Sequence, residues 1–374
     1  MRIAWLVVAL SAFACGGSDS GDCAPGLASQ SNQCLTPPNQ PVSDQGGRVL
    51  GAMDVWTIVF TGDEALGSAV DTLNGLVLAS SYYTSNLAEY GVGAGSAHGV
   101  IVAGAPPAAV NDPFYDAQIG QLVGRVSSTG DMLTLGPDTV LTFVIPKATS
   151  EPVGTSYHTT TAATFPLTSG GSARVPYIVL RQDSVGFVAD FDYLTWTQTH
   201  ELVETATDPL DPEAWLDPNL DIFGEIADLC NDIPVEEMLG GTTYMVTRLY
   251  SARLAAARLG DPCVPALAVP YVNVAISPLQ LGIPAGIGKT GTVHLSAYSL
   301  GPTTTVDWRL FPDKGYSASP KSGTLAPGAS TDVTIRRTGN PDDDPAILIL
   351  FVNDTSDPNG SIPRAESFGA VITE

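Results

Sequence analysis

Apolar positions along this chain change texture twice. From residue 49 onward, short apolar runs alternate with longer stretches of helical period. Residues 54–61 (DVWTIVFT), 139–145 (TVLTFVI) and 175–181 (VPYIVLR) are rich in β-branched and aromatic side chains and predict buried strands. Residues 99–103 (GVIVA) predict a shorter one. Residues 63–90 read as largely helical, with Gly67 and Gly75 as weak points. Asp112-Pro113 reads as the start of a helix running to residue 125. A further strand is predicted over 242–250 and a closing helix over 251–259. Strands alternating with helices predict a mixed or parallel sheet with helices packed on it.

The texture changes at 262–270 (PCVPALAVP), where prolines interrupt any helix or central strand. Beyond it, 272–277, 291–297, 304–311, 330–336 and 346–351 are short alternating runs separated by Gly, Pro, Ser and Asp turns. That spacing predicts a β-sandwich. The segment PKSGTLAPGAS at 320–330 is similar to immunoglobulin-like accessory modules of bacterial surface proteins. The predicted fold class is therefore an α/β (or α+β) mixed-sheet domain over 49–266, followed by an all-β immunoglobulin-like sandwich over 267–374. His294 reads as strand packing, and Asp342-Asp343-Asp344 as a solvated turn rather than a calcium site.

The first residues have a third texture. Arg2 precedes a short apolar run, 3–14, which is too short to span a bilayer and reads as an export signal over 1–14. The sequence Ala12-Phe13-Ala14-Cys15-Gly16-Gly17 resembles a bacterial lipoprotein signal, with Ala12 where such signals usually carry Leu. The resemblance implies cleavage before Cys15 and a lipid on that residue, which would make the membrane a partner. Residues 15–48 are Gly-, Ser-, Asp- and Pro-rich and read as a flexible tether. Cys23, Cys34, Cys230 and Cys263 remain, an even number for an oxidising compartment. They allow three pairings, of which Cys23–Cys34 with Cys230–Cys263 is the most local.

Charge narrows the partners. Lys+Arg 16 against Asp+Glu 39 gives a net charge of −23. Phosphate contacts need basic side chains, so nucleic acid and anionic lipid surfaces are excluded as partners. Abundant carboxylates favour hard cations.

Candidate chemistry concentrates in Thr199-His200-Glu201-Leu202-Val203-Glu204-Thr205-Ala206-Thr207-Asp208-Pro209, followed by Gly224-Glu225-Ile226-Ala227-Asp228. Asp192 is a candidate cap for a helix through Tyr193, Trp196, His200 and Val203 to Thr207, which Pro209 ends. On that helix His200 and Glu204 lie one turn apart on one face and can reach one metal ion. Glu201 lies about 100° round the helix and can hold a water bound to that ion. A polar network without metal is the alternative reading.

These residues resemble the HExxH zinc metallopeptidases, with Glu204 where the second histidine ligand stands. The resemblance implies a zincin-like site with His200, Glu204 and Glu225 as metal ligands. It implies Glu201 as general base and Asp228 as an outer residue orienting His200. Zinc is the implied ion; the oxygen-rich set shifts preference toward calcium or manganese and toward a weaker catalyst. Over 54–231 the layout also resembles bacterial secreted proteins with HExxExxTDP…GEIxDxC. More distantly it resembles the plant exordium, or phosphate-induced, extracellular proteins, which lack an established catalytic site. Two functions are therefore expected: an exported metallopeptidase-like hydrolase acting on an extracellular peptide, or a non-catalytic surface protein binding a surface ligand. His98 and His158 sit on loop-like segments and read as surface histidines, each able to add a ligand.

Overall fold

The structure, a computed structural model, describes residues 28–30, 33–35, 42–150, 156–182, 190–209, 212–217, 224–230, 234–257, 262–265, 272–278, 280–299, 305–340, 346–354 and 365–373. The expected signal, Cys15, Cys23 and Asp342-Asp343-Asp344 lie outside these residues, and with them the Cys23–Cys34 pairing. The chain is mostly β-sheet with a few helices. Among the described residues no helix is long and apolar enough to cross a membrane.

The first half is organised on a five-stranded sheet. Its strands are β1 (Asp54–Val59), β2 (Ser96–Val102), β3 (Thr139–Ile145), β4 (Tyr157–Thr160) and β5 (Pro176–Arg181), in the order β2-β1-β3-β5-β4. The first four in that order run parallel, and β4 closes one edge antiparallel to β5. Every residue of β3 is buried, as a strand covered on both faces requires. Successive side chains alternate between the faces. Trp56, Ile58, Leu141, Phe143, Tyr177 and Val179 share one core cluster with residues of α3 (Asp112–Leu122). Val55, Val140 and Ile178 join a different cluster with Leu202, Val203 and Ala206.

The second face carries the helices that position the site. They are α1 (Glu64–Ala79) and α4 (Asp190–Thr207), with α2 (Ser81–Leu87) following α1. Residues 63–90 thus do not form one helix. Ser80 is extended, at ψ 156°, and its hydroxyl accepts a hydrogen bond from the Tyr83 amide. A serine side chain competing for backbone donors starts a new helix here. Gly67 is where α1 crosses β1 closely: a Cβ there would lie 2.4 Å from Val59 Cγ1. Asn111 caps α3 through Phe114, and that helix stops at Leu122, short of residue 125. Helix α4 begins at Asp190, so Asp192 lies inside the first turn rather than capping it.

A buried polar chain fixes α4 on the sheet. Gln198 Nε2 donates to Asn74 Oδ1 on α1 (2.9 Å) and to Thr142 Oγ1 on β3 (3.1 Å). Asn74 Nδ2 in turn donates to Thr57 Oγ1 on β1 (3.2 Å). Buried polar groups cost stability unless bonded, so this chain selects one rotation and one height for α4.

After α4 comes a hairpin not expected from the sequence, β6 (Val235–Leu239) with β7 (Thr242–Val246). The expected 242–250 strand ends at Val246. Leu249–Tyr250 instead pairs with Cys263–Val264 across the short helix α5 (Ala252–Ala257). Cys230 and Cys263 are disulfide-bonded, with Cα atoms 5.7 Å apart.

The described residues from 272 to 373 form two facing sheets. Strands β8 (Val272–Ser277), β10 (Thr290–Ser299), β14 (Ser330–Arg337) and β12 (Tyr316–Ser319) make one, in that order. The other runs β9 (Gln280–Gly282), β16 (Ala365–Thr373), β15 (Ala346–Asp354), β11 (Val306–Pro312) and β13 (Ser322–Leu325). Alternate residues such as Val293, Leu295, Trp308, Leu310, Val333 and Ile335 fill the space between them, the β-sandwich arrangement. His294 is not packing: its side chain is 51% exposed and pairs with Asp332 on the neighbouring strand at 2.8 Å.

Candidate metal centre

Three segments meet at the inner face of the sheet near β4. Helix α4 brings His200, Glu201 and Glu204; the loop 224–230 brings Glu225 and Asp228; β4 brings His158; and the end of α4 brings the Asp208 carbonyl. All of these side chains except that of Asp228 belong to buried residues.

His158 arrives through strand register. It lies opposite Ile178 on β5, and cross-strand neighbours point to the same face. Ile178 packs against α4, so His158 faces α4 too. Its Nδ1 lies 3.4 Å from Glu201 Oε2 and 3.5 Å from Glu204 Oε2. Its Nε2 lies 3.4 Å from Glu225 Oε1 and 3.0 Å from the Asp208 carbonyl oxygen. The expectation of a surface histidine on a loop is therefore overturned: His158 is 7% exposed and on a strand. The residues Tyr157-His158-Thr159-Thr160-Thr161 are β-favouring, and that was the available signal. His98 is also on a strand. It stacks on Trp56 and lies 3.2 Å from Asp54 and 3.3 Å from Asp131, away from this centre.

The loop 224–230 is held from three sides. Glu225 forms a bridge with Leu216, the Ile226 carbonyl accepts the Tyr250 amide at 2.9 Å, and Cys230 is tied to Cys263. Gly224 is required there: a Cβ would stand 2.4 Å from the Asp217 carbonyl oxygen. Asp208 closes α4, its Oδ1 accepting the Ala214 amide at 3.1 Å, before Pro209 turns the chain away.

His200 Nε2 lies 3.0 Å from Glu204 Oε1 and 3.3 Å from Asp228 Oδ1. Asp228 thus faces the same ring nitrogen as Glu204. An outer residue orienting His200 would meet the other nitrogen, and Nδ1 is buried without a hydrogen-bond partner. Glu225, expected beside His200 and Glu204, stands on the far nitrogen of His158 instead. Glu201, expected as a base, faces His158 and is 4% exposed.

The electrostatics are those of a site with too much negative charge. Among the described residues no lysine or arginine pairs with Glu201, Glu204, Glu225 or Asp228. Burial and the Glu204 charge push the Glu225 carboxyl well above its ordinary value, and they push Asp228 up to about 7. Burial works against the imidazolium of His158, but the Glu225 charge and the contacts with Glu201 and Glu204 lift it well above 6.5. His200 is likewise lifted against burial, by Glu204 and Asp228. Burial raises the Glu204 carboxyl, yet the two imidazoles outweigh it and hold that carboxyl at about 2.

Glu204 Oε1 and Glu225 Oε1 accept no hydrogen bond, although histidine nitrogens stand 3.0 and 3.4 Å away. Orphaned buried oxygens beside imidazole nitrogens fit a divalent ion. Donor atoms of His158, Glu201 and Glu204 lie within 4.8 Å of one another, and so do those of His200, Glu204 and Asp228.

No protein-family model matches the chain, and no curated protein matches it. Solved structures match over parts of it. SSP-19, an MSP-domain protein-like family member of Caenorhabditis elegans, is 18% identical over 27% of this chain and 99% of its own, with TM-score 0.22. WR4, an MSP family member of C. elegans, is 14% identical over 26% of this chain and 93% of its own, with TM-score 0.21. A PapD-like domain of human CEP192 is 18% identical over 30% of this chain and 96% of its own, with TM-score 0.18. At these TM-scores none bears on the chemistry of His158, His200 and their acids.

Proposed function

We propose that this chain is an exported cell-surface protein whose first half is a zincin-like α/β domain with a buried metal centre. In this reading bound metal ties β4, α4 and the loop 224–230 together, and the protein acts by binding rather than by turnover. One observation carries the reading. Four buried or nearly buried carboxylates surround two imidazoles, and among the described residues no lysine or arginine pairs with them. Buried charge of one sign is retained only where something cancels it. His158, Glu201, Glu204, His200 and Asp228 would hold the metal. Imidazole nitrogen in each donor group favours zinc over calcium, which takes an oxygen shell, while the carboxylates also suit manganese.

The second reading is a metallopeptidase-like hydrolase. It is favoured by one feature: His200 and Asp228 have the most exposed side chains of the set, at 11% and 14%, so solvent approaches from their side. Bound metal would supply electrophilic activation of water there, and Glu201 would take the proton. The two readings part at Glu201→Gln. A binding role, with Glu201 facing His158 Nδ1, predicts weaker metal affinity by at least about tenfold and no peptide or ester hydrolysis by either protein. A base role predicts that metal stays and that hydrolysis falls by about 10²–10⁴-fold. Equilibrium dialysis with zinc and a peptide-cleavage assay decide between them.

Export and lipidation at Cys15 carry their own expectation. Whole-cell fractionation should place the chain with membranes, and Cys15→Ser should release it to the soluble fraction. An unchanged distribution would remove the lipid anchor from the reading.

A further inference from the structure

We propose that the centre holds two divalent ions bridged by Glu204, rather than one. This rests on the metal-binding reading above and adds to it the number of ions and the role of each side chain.

The geometry of Glu204 is the starting point. It alone belongs to both donor groups. Its oxygens face opposite histidines: Oε2 is 3.5 Å from His158 Nδ1, and Oε1 is 3.0 Å from His200 Nε2. The two imidazoles come from different elements, and among the described residues no group of donors within the 4.8 Å spacing contains both. One ion would therefore leave one histidine unused. Two ions use both, each taking one imidazole nitrogen, one Glu204 oxygen and one further acid. Those acids are Glu201 on the His158 side and Asp228 on the His200 side.

The contacts of His158 point the same way. Its Nε2 lies 3.0 Å from the Asp208 carbonyl, which can only accept, so Nε2 carries the hydrogen. That leaves Nδ1 facing the carboxylates of Glu201 and Glu204 as the nitrogen available to an ion. A histidine whose second nitrogen donates to a backbone carbonyl is also the usual arrangement of an oriented metal ligand.

Charge completes the argument. Glu201, Glu204, Glu225 and Asp228 crowd the two donor groups, and four carboxylates freed of their protons carry four negative charges. One divalent ion leaves half of that uncancelled, and two cancel it. Glu225 contributes charge and contacts the Nε2 edge of His158, outside both donor groups. Its buried, unpartnered Oε1 is the residual acceptor that a neighbouring cation would compensate.

The test uses the full mature chain, stripped with chelator, reloaded with zinc or manganese, and desalted. Elemental analysis should give two ions per chain for wild type. His158→Ala and His200→Ala should each halve that number, and Glu204→Ala should bring it close to zero. A wild-type value of one overturns the bridge and leaves the single-ion reading standing; a value of zero overturns both. A readout on wild type alone covers the case of variants that do not fold. The manganese-loaded chain should give a spin-coupled electron paramagnetic resonance signal. A signal of isolated ions only would also overturn the bridge.

Discussion

Glu204→Ala should strip the chain of metal and lower its melting temperature by roughly 10 °C. The magnitude follows from what the substitution leaves behind. Removing one partner of a buried ionic group costs about 3–5 kcal/mol, because the other charges stay buried without compensation. A unit of 150–250 residues shifts by roughly 2–4 °C for each kcal/mol. His200 would lose the oxygen at 3.0 Å and His158 the one at 3.5 Å, so both imidazoles are affected at once. Elemental analysis and calorimetry measure the two effects separately. The informative comparison is with chelated wild type. If Glu204 acts through metal alone, the variant and the chelated protein melt together. Direct pairing with the imidazoles predicts a variant that melts lower still. A variant that keeps its metal and its melting temperature would remove Glu204 from the centre.

The part of this centre carried by α4 was legible because a helix converts spacing into direction. His200 and Glu204 are one turn apart, and that alone predicts that they share a face. Glu225 and Asp228 were legible as a motif, but not in their placement. Which nitrogen each meets depends on how the loop 224–230 is pinned by Leu216, Tyr250 and Cys263, and none of those contacts is local in sequence. His158 was missed for a related reason. A four-residue edge strand has too few positions to show alternation, and the face it presents is decided by pairing with Ile178. The parallel core strands were easier, because burial on both faces writes long apolar runs such as TVLTFVI. In the sandwich, β12 and β13 went unseen: each has four residues, and two positions of β12 and three of β13 are polar or glycine. The break between α1 and α2 was readable from Ser80-Ser81, but two serines inside a helical pattern name no particular boundary until one of them caps.

Raising the pH from 5 to 8 should destabilise the metal-free chain and widen its distance from the metal-loaded one. The direction follows from the shifted groups taken in turn. His158 and His200 are raised in the folded chain, so their contribution is complete below 6.5 and is lost as pH climbs through the raised values. Glu225 and Asp228 are raised as well. Their contribution is complete below 4.5 and 3.8 and fades upward, for Asp228 through about 7. Glu204 opposes them, but it does so elsewhere: its contribution is full above 4.5 and is lost only as pH falls toward about 2. Between pH 5 and 8, then, every shifted group in the centre except Glu204 works against the metal-free fold, and Glu204 contributes no slope. Metal reverses the slope, because ligands must give up protons to bind it, and binding strengthens as pH rises. At free metal about a hundredfold above the dissociation constant, binding adds about 2.7 kcal/mol. On the same scale that is roughly 5–10 °C of melting temperature near pH 8, shrinking toward pH 5. Melting curves with chelator and with zinc at intervals across this range give both slopes. A chelated protein that gains stability toward pH 8 would contradict the reading of the centre as an uncompensated carboxylate cluster.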